Sequence, residues 1–269
     1  MPAIIVTADD FAISPEVSAG ICEAHRCGVV TETSVLIRSP WAAESMAMAK
    51  DVGLAMGLHL DLVTTFVTHR SHLFGPARRF SSELAEREFA HRVGRLFTCE
   101  ELIAIRDEAR NQIEEFAGLA GHLPTHLDYH YGWHYLGEVM AIYLTVAEEF
   151  DLPVRWGRQY AGANPYPLAP HCLGDCFRGS GHDGLTLFLK AVDEPCEGVK
   201  EIICHPGYTT PGILPDAYNH ERQQELKTLT DPRLKEELAR REVDLVTYEW
   251  LRQHLGRPGS APITSHEGG

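Results

Sequence analysis

The stretch IIVTADDFAISP, residues 4–15, decides the fold because it contains an apolar run, a polar turn and the start of a helix in succession. Residues 4–8 predict a short buried strand. Ser14 and Pro15 are typical of a helix N-cap and a first helical position, and Gly28 lies where that helix should end. A strand that leads directly into a helix is the repeating unit of an α/β fold.

The same alternation of strand and helix continues along the chain. Strands are predicted over residues 29–37, 54–62, 125–129, 153–156, 199–204 and 243–247. Helices are predicted over residues 41–50, 98–116, 137–150, 185–192, 219–240 and 248–255, and loops over 63–80 and 157–183. This order predicts a parallel α/β sheet, open or closed into a (β/α) barrel. Because no change in composition divides the chain, we expect one domain over 1–255 and a flexible tail over 256–269.

Composition and charge argue against several functional classes. The chain has 269 residues and a formal net charge of −14, which does not suit a protein that binds nucleic acid or anionic lipid through a basic surface. We expect no integral membrane segment, because no apolar run reaches about 18 residues, and the N-terminus lacks a signal-peptide pattern. Seven scattered cysteines are typical of free thiols in the cytoplasm, where we expect the protein to be. A zinc site at His171, Cys172 and Cys176 is the weaker alternative.

Polar side chains that could carry chemistry lie at the ends of predicted strands. Asp9 and Asp10 follow the first strand, where a slight twist would let one carboxylate bind a metal and the other accept a proton from water. His59 and Asp61 share one face of a strand whose other face is apolar, and metal binding would satisfy such a buried polar pair. The alternatives are a solvated turn for the two aspartates and a hydrogen-bonded core histidine for His59.

Two further strand ends carry the same kinds of residue. In an extended chain His126, Asp128 and His130 line one face, and three titratable groups on one strand face are difficult to explain by packing alone. His205 ends an apolar strand before a Pro-Gly turn and could act as a general acid, with a simple turn histidine as the alternative. Arg155 follows another strand and could orient a catalytic aspartate, although a surface salt bridge would explain it as well.

Taken in order, these segments resemble the motifs of the YdjC-like (ChbG) carbohydrate deacetylase family over residues 3 to about 250. The matching segments are TADDFAIS (7–14), GI (20–21), GVVTETS (28–34), GLHL (57–60), THLDYH (125–130) and CHPG (204–207). The chain departs from the family pattern at Ala12, where the family has Gly, at Asp61, where Asn is common, and at Gly132, where His is usual. None of the three is a proposed ligand.

The resemblance implies a NodB-related, irregular (β/α) barrel in a single domain. It also implies one divalent metal ion held by Asp10, His59 and His130, with Asp9 as the catalytic base and His205 as the acid. Zn²⁺ suits such a ligand set best, and Mg²⁺, Mn²⁺ or Co²⁺ suit it less well.

The remaining candidates would support these residues. Asp128 could orient His205 or a metal ligand, and Arg155 could hold Asp9. Aromatic rings near the site could stack on sugar rings. The candidate substrate contacts are Asp61, Tyr129, Trp133, His134 and Tyr208.

We therefore predict a metal-dependent hydrolase that removes an N-acetyl group from an amino sugar, an oligosaccharide or a glycoconjugate, including one at a membrane surface. One alternative is another metal hydrolase on the same scaffold, acting on a phosphoester or another amide, and a phosphatase should have more basic residues near its site. A second is a non-catalytic carbohydrate-binding protein, which should have lost the base or a ligand. We expect no nucleic-acid partner, and we predict a homodimer.

Overall fold

A computed structural model describes residues 2–62, 97–130, 137–155, 183–196, 198–214 and 216–255, together with the backbone of 168–172. The strands are β1 (Ala3–Phe11), β2 (Glu32–Val35), β3 (Ala55–Leu60), β4 (Leu127–Tyr129), β5 (Leu168–Cys172), β6 (Val199–Cys204) and β7 (Asp244–Leu245). The helices are α1 (Pro15–Arg26), α2 (Ala42–Val52), α3 (Cys99–Ala120), α4 (Gly137–Glu149), α5 (Gly184–Asp193), α6 (Asp216–Leu229), α7 (Pro232–Arg240) and α8 (Tyr248–Leu255).

The strands form one parallel sheet in the order β4-β3-β2-β1-β6-β5, and β7 pairs with the beginning of β1. Helices supply crossovers of the kind that parallel neighbours require. The sheet curls into a half-barrel, and no pairing joins β4 to β5 within the described ranges. The predicted α/β fold with an irregular barrel is therefore confirmed in this curled, open form.

Side chains of the sheet alternate between an apolar outer face and a polar inner face. On β1, Ile4, Val6 and Ala8 belong to the main apolar cluster, which includes residues of the surrounding helices. Thr7 and Asp9 point to the opposite side and are also buried. The polar residues that meet on this inner side are Thr7, Asp9, Glu32, Ser34, His59, His126, Asp128, His130 and Glu201.

A small apolar cluster lies beneath this polar face, at the end where α8 packs. It consists of Ile5, Val199, Val246, Tyr248 and Leu251. The backbone N–H of Tyr248 donates to Glu32 Oε1 over 2.8 Å, which ties the start of α8 to β2. The polar residues are therefore enclosed at this end.

The helix signals in the sequence are present in the structure. Ser14 Oγ accepts a hydrogen bond from the backbone N–H of Val17 at 3.1 Å and caps α1, which ends at Arg26. Thr98 and Glu101 form the predicted capping box at the start of α3. Among the described helices, none combines the length and the apolar character that a membrane span needs.

Two predicted elements differ from the structure. Residues 157–183 are not entirely loop, because β5 pairs in parallel with β6. Pro170 argues against a strand here, because proline is unusual in a sheet. An edge strand such as β5 tolerates it. Of the strand expected over 153–156, the described residues 153–155 show a single bridge, at Val154. The helices expected over 219–240 are α6 and α7, and Asp231 and Pro232 start the second of them. The loop 63–80 and the tail 256–269 lie outside the described residues.

Candidate metal centre and active site

The two adjacent aspartates reach the same pocket because β1 is irregular where they occur. The register of β1 against β2 shifts between Ala8 and Phe11, and Asp10 has a φ of 64°. In a regular strand these neighbours would point to opposite faces, whereas the irregularity brings both carboxylates to the inner face. Ala12 also has a positive φ, 72°, in the region that glycine adopts without penalty, and the family pattern has Gly at that position.

Asp10, His59 and His130 form a compact buried group. Asp10 Oδ1 lies 2.9 Å from His130 Nδ1 and 3.4 Å from His59 Nε2. One ligand atom from each of the three residues lies within 4.8 Å of the other two. Burial would raise the pKa of Asp10, but the charges of Arg222 and His130 outweigh it and hold that pKa well below its usual value.

Asp128 supports His59 from the side opposite to this group. Its Oδ1 lies 2.7 Å from His59 Nδ1, which leaves His59 Nε2 directed at Asp10. Burial alone would lower the pKa of His59, but the charges of Asp128 and Asp9 raise it to about 10. Of the two roles expected for Asp128, the geometry therefore favours orienting a metal ligand over orienting His205.

Arg155 is buried and joins three carboxylates. Its Nη1 and Nη2 donate to the two carboxylate oxygens of Asp9 at 2.7 and 2.8 Å. Nη2 also lies 2.9 Å from Asp128 Oδ2, and Nε donates to Glu201 Oε1 at 3.0 Å. Burial would lower the pKa of Arg155, but these carboxylates raise it well above its usual value. Arg155 is therefore part of the site and not a surface salt bridge, and Glu201 is a partner that the sequence did not indicate.

His205 approaches the same pocket from the end of β6. Its Nε2 lies 3.9 Å from Asp9 Oδ2, the same distance that separates Asp9 Oδ2 from His59 Nε2. The side chain keeps 23% of its surface exposed, so His205 is the most open of the grouped residues. Burial lowers the pKa of His205 and outweighs the opposing charges of Asp9 and Asp10.

Arg222, on α6, is a member of the site that the sequence did not indicate. Its Nη2 donates to Asp10 Oδ2, and only 1% of the residue is exposed. The polar segment 219–225 is typical of a solvated helix face, so the sequence does not predict that Arg222 is buried in the site. Its one signal is the three-residue spacing of Asn219, Arg222 and Glu225, which places them on one side of the helix.

His126 shares a strand face with Asp128 but packs as a core residue. Its ring stacks on Tyr248 at 3.9 Å between centroids. Its Nδ1 lies 3.8 Å from Glu32 Oε2, and Thr125 Oγ1 donates to the same oxygen at 2.9 Å. His126 therefore lies below the metal-ligand candidates rather than among them.

The candidate substrate contacts are scattered. Gln112 holds both backbone groups of Asp61, accepting from its N–H and donating to its carbonyl. Tyr129 packs against the apolar core with an edge-on contact to Tyr143, which does not favour sugar stacking. Tyr208 is exposed and donates to Glu23 on α1. Trp133 and His134 lie outside the described residues.

The donor set of Asp10, His59 and His130 fits a divalent cation. Two ligand atoms bound to one ion at about 2.1 Å lie roughly 3.0–3.4 Å apart, close to the 2.9 and 3.4 Å found here. Asp9, His59 and Asp128 form a second group with similar spacing. That group suits a cation less well, because Arg155 contacts both oxygens of Asp9 and one of Asp128. In the first group Arg222 contacts only Oδ2 of Asp10, and Oδ1 faces the two imidazoles.

Comparison with known proteins finds a matching family model and relatives of similar length. The family model described as YdjC-like protein matches residues 3–240. A chitooligosaccharide deacetylase from Serratia marcescens is 31% identical over 247 residues, which cover 88% of this chain and 94% of the relative. A carbohydrate deacetylase from Geobacillus stearothermophilus is 33% identical over 249 residues, covering 91% and 96%.

One solved structure resembles most of the chain. It is a protein from Enterococcus faecalis V583 for which cellobiose-phosphate cleavage has been suggested. The two structures have a TM-score of 0.74 and 26% sequence identity, over 93% of this chain and 98% of the other.

Proposed function

Because the chain belongs to the YdjC-like protein family, we propose that it is a metal-dependent hydrolase that removes the N-acetyl group from an N-acetylated amino sugar, oligosaccharide or glycoconjugate. The names of its relatives, chitooligosaccharide deacetylase and carbohydrate deacetylase, support this reaction class. The amide bond of the acetamido group is the bond that would be cleaved.

A single observation carries the proposal. The Asp9 carboxylate lies between a candidate metal ligand and a half-buried imidazole, with its Oδ2 3.9 Å from Nε2 of both His59 and His205. An amide hydrolase needs a group that takes a proton from water and a group that gives one to the departing nitrogen. The proximity of Asp9 and His205 supports assigning these two tasks to them.

Asp10, His59 and His130 would hold the metal ion. A divalent ion held there lowers the pKa of water and polarises a carbonyl oxygen. One carboxylate and two imidazoles favour Zn²⁺ by ligand type, with Mg²⁺, Mn²⁺ or Co²⁺ as alternatives. Asp128 fixes the ring of His59 through the 2.7 Å contact, an arrangement that commonly orients metal-binding histidines.

Two other residues, Asp9 and His205, would transfer the protons. Asp9, fixed by the two-point contact with Arg155, accepts the proton of the attacking water. His205 donates a proton to the amine nitrogen as the C–N bond breaks. The lowered pKa of His205 makes its protonated form a stronger acid, and it also means that the neutral form prevails as the pH rises.

The alternatives receive less support from the site. A phosphoester substrate would need a cation to bind its phosphate, and Arg155 and Arg222 already pair with carboxylates. A binding protein without activity should lack a base or a ligand, whereas Asp9, Asp10 and His205 are all present.

The test is release of acetate by metal-stripped protein to which Zn²⁺, Mg²⁺, Mn²⁺ or Co²⁺ is added back singly. Substrates are N-acetylglucosamine, diacetylchitobiose, longer N-acetylated glycans and, because of the E. faecalis neighbour, a phosphorylated disaccharide. We expect metal-restored acetate release from at least one acetylated sugar. Release of phosphate or of free sugar from the phosphorylated disaccharide, without acetate release from any acetylated sugar, would contradict the proposal.

Three further expectations from the sequence stay predictions. The protein is expected to act in the cytoplasm, to form a homodimer and to have one domain over 1–255. Light scattering coupled to size-exclusion chromatography tests the homodimer, and a monomer at micromolar concentration would contradict it.

A further inference from the structure

One side of α6 is polar and buried, although helices usually bury an apolar side. Asn219, Arg222 and Glu225 expose 4%, 1% and 2% of their surfaces. Burying an amide, a guanidinium and a carboxylate is costly unless each has partners. The partners of these three side chains lie in the loop that begins at His205 and in strand β1. The polar side of α6 therefore fixes other segments as well as packing against them.

Arg222 connects the acid-bearing loop to the metal-ligand candidate Asp10. Its Nη2 donates to Asp10 Oδ2, and its Nη1 donates to the backbone carbonyl of His205 at 3.4 Å. The backbone carbonyl of Arg222 accepts from the N–H of Gly207 at 3.2 Å. The guanidinium also lies 4.9 Å from the centre of the Tyr218 ring, which limits where it can move.

Glu225 and Asn219 hold the same loop on either side of Arg222. Glu225 Oε2 accepts from the backbone N–H of His205 at 2.5 Å. Asn219 Oδ1 accepts from the backbone N–H of Thr210 at 2.8 Å, and its Nδ2 donates to the carbonyl of Leu214 at 3.1 Å. The main chain of His205 is thus bound at both its N–H and its carbonyl by side chains of one helix.

The contact with Asp10 selects which oxygen of that carboxylate is left for a metal. Arg222 occupies Oδ2, while Oδ1 faces His59 and His130. Asp10 adopts a positive φ of 64°, a conformation that costs energy for any residue other than glycine and persists only where the surroundings enforce it. Arg222 is one of those surroundings.

We propose that Arg222 is a positioning residue that fixes the Asp10 carboxylate for one-oxygen metal binding and, through the same guanidinium, sets the position of the His205 main chain. This inference rests on the proposed function, because it needs Asp10 as a metal ligand and His205 as the acid. Helix α6 would then fix the position of the metal centre relative to the acid.

Two physical effects of Arg222 on metal affinity oppose each other, and variants separate them. Its positive charge repels a nearby cation, whereas its hydrogen bond with Asp10, anchored by a second one with the carbonyl of His205, holds the ligand in place. Arg222→Lys keeps the charge but cannot reach both partners in a planar fork, and Arg222→Met removes the charge. If positioning dominates, both variants lose affinity, since removing a residue that supports a metal ligand commonly costs about 10- to 100-fold.

The experiment is titration of metal-stripped protein with Zn²⁺ against a chelator of known affinity, together with kcat and KM. We expect Arg222→Lys and Arg222→Met to weaken Zn²⁺ binding by about 10- to 100-fold and to lower kcat at saturating metal while KM stays near its original value. The control is Arg233→Lys, an exposed arginine on the neighbouring α7 that pairs only with Asp231 among the described contacts and should leave every value unchanged.

Unchanged Zn²⁺ affinity in Arg222→Lys, or tighter binding in Arg222→Met, would overturn the inference, because charge alone would then account for the residue. Absence of Zn²⁺ binding by the unmodified protein would instead overturn the proposed function. Because Arg222→Lys retains the charge and most of the volume, it keeps the test valid if Arg222→Met fails to fold.

Discussion

Gly20→Ala tests whether helix α1 fixes the loop that carries His205. Gly20 lies directly against the main chain that follows this histidine. A Cβ at position 20 would lie 2.7 Å from Gly207 Cα and 2.8 Å from the backbone nitrogen of Tyr208. Both are backbone atoms, so no change of side-chain rotamer can relieve the contact, and either the helix or the loop must shift.

The size of the shift follows from the contact distances. Ordinary carbon contacts begin at 3.4 Å, so a Cβ at 2.7 Å requires a displacement of about 0.7 Å. Added volume in a packed region costs about 1–3 kcal/mol, and misplacing a catalytic group by about 1 Å costs roughly 100-fold in rate. We therefore expect kcat to fall by about 10- to 100-fold. Zn²⁺ affinity should change much less, because Asp10, His59 and His130 lie on other segments.

The assay is acetate release at saturating metal, with thermal unfolding measured in parallel. Gly118→Ala is the matched control, because Gly118 is a helical glycine of α3 with nothing within 4 Å of its would-be Cβ. That control should keep its kcat and gain about 0.5–1 kcal/mol of stability from helix propensity. A folded Gly20→Ala protein with unchanged kcat would refute the idea that α1 sets the position of the acid.

Three other predictions concern single residues of the site. Asp9→Asn should lower kcat by about 100-fold or more with little change in Zn²⁺ affinity; loss of both would make Asp9 a ligand. Glu225 has a folded pKa of about 7 against an ordinary 4.5, because burial outweighs its hydrogen bond with His205, so its contribution to stability is greatest below pH 4.5 and is lost as the pH rises through 7. Urea unfolding should show Glu225→Gln gaining up to about 3 kcal/mol relative to the original protein between pH 4.5 and 8, and parallel pH profiles would contradict this. Zn²⁺ at 100 times its Kd should add about 2.7 kcal/mol to the free energy of unfolding, and Asp10→Ala should abolish this gain; an equal gain in the variant would place the ion elsewhere.

Local rules predict which residues share a strand face. Alternation along a strand places His59 on one face with Asp61, and His126 on one face with Asp128 and His130. The structure brings His59 to within hydrogen-bonding distance of Asp128, which is 69 positions away. It also separates His126 from the metal candidates, because alternation gives the face of a residue but not its height along the barrel.

Other features of the site depend on pairing over long distances, which no local pattern records. Arg222 contacts Asp10 across 212 positions, and its own helix contains mostly polar residues. Glu201 interrupts an apolar strand, and its buried neighbour Arg155 lies 46 positions earlier. The positive φ of Asp10 could not be anticipated either, since only its surroundings make that conformation tolerable.

The buried charges of the inner face explain why a metal ion would stabilise this site. On the inner face, two guanidinium groups contact four of the carboxylates, and these six residues are Asp9, Asp10, Asp128, Glu201, Arg155 and Arg222. With all six ionised, four negative and two positive charges leave this group with a net charge of −2. In the metal-free protein, the pKa of His59 is raised to about 10, so its imidazole retains a proton and compensates part of this negative charge. A divalent cation at Asp10 would compensate it fully and would release that proton, so the face that costs stability without metal is the face that a metal would stabilise.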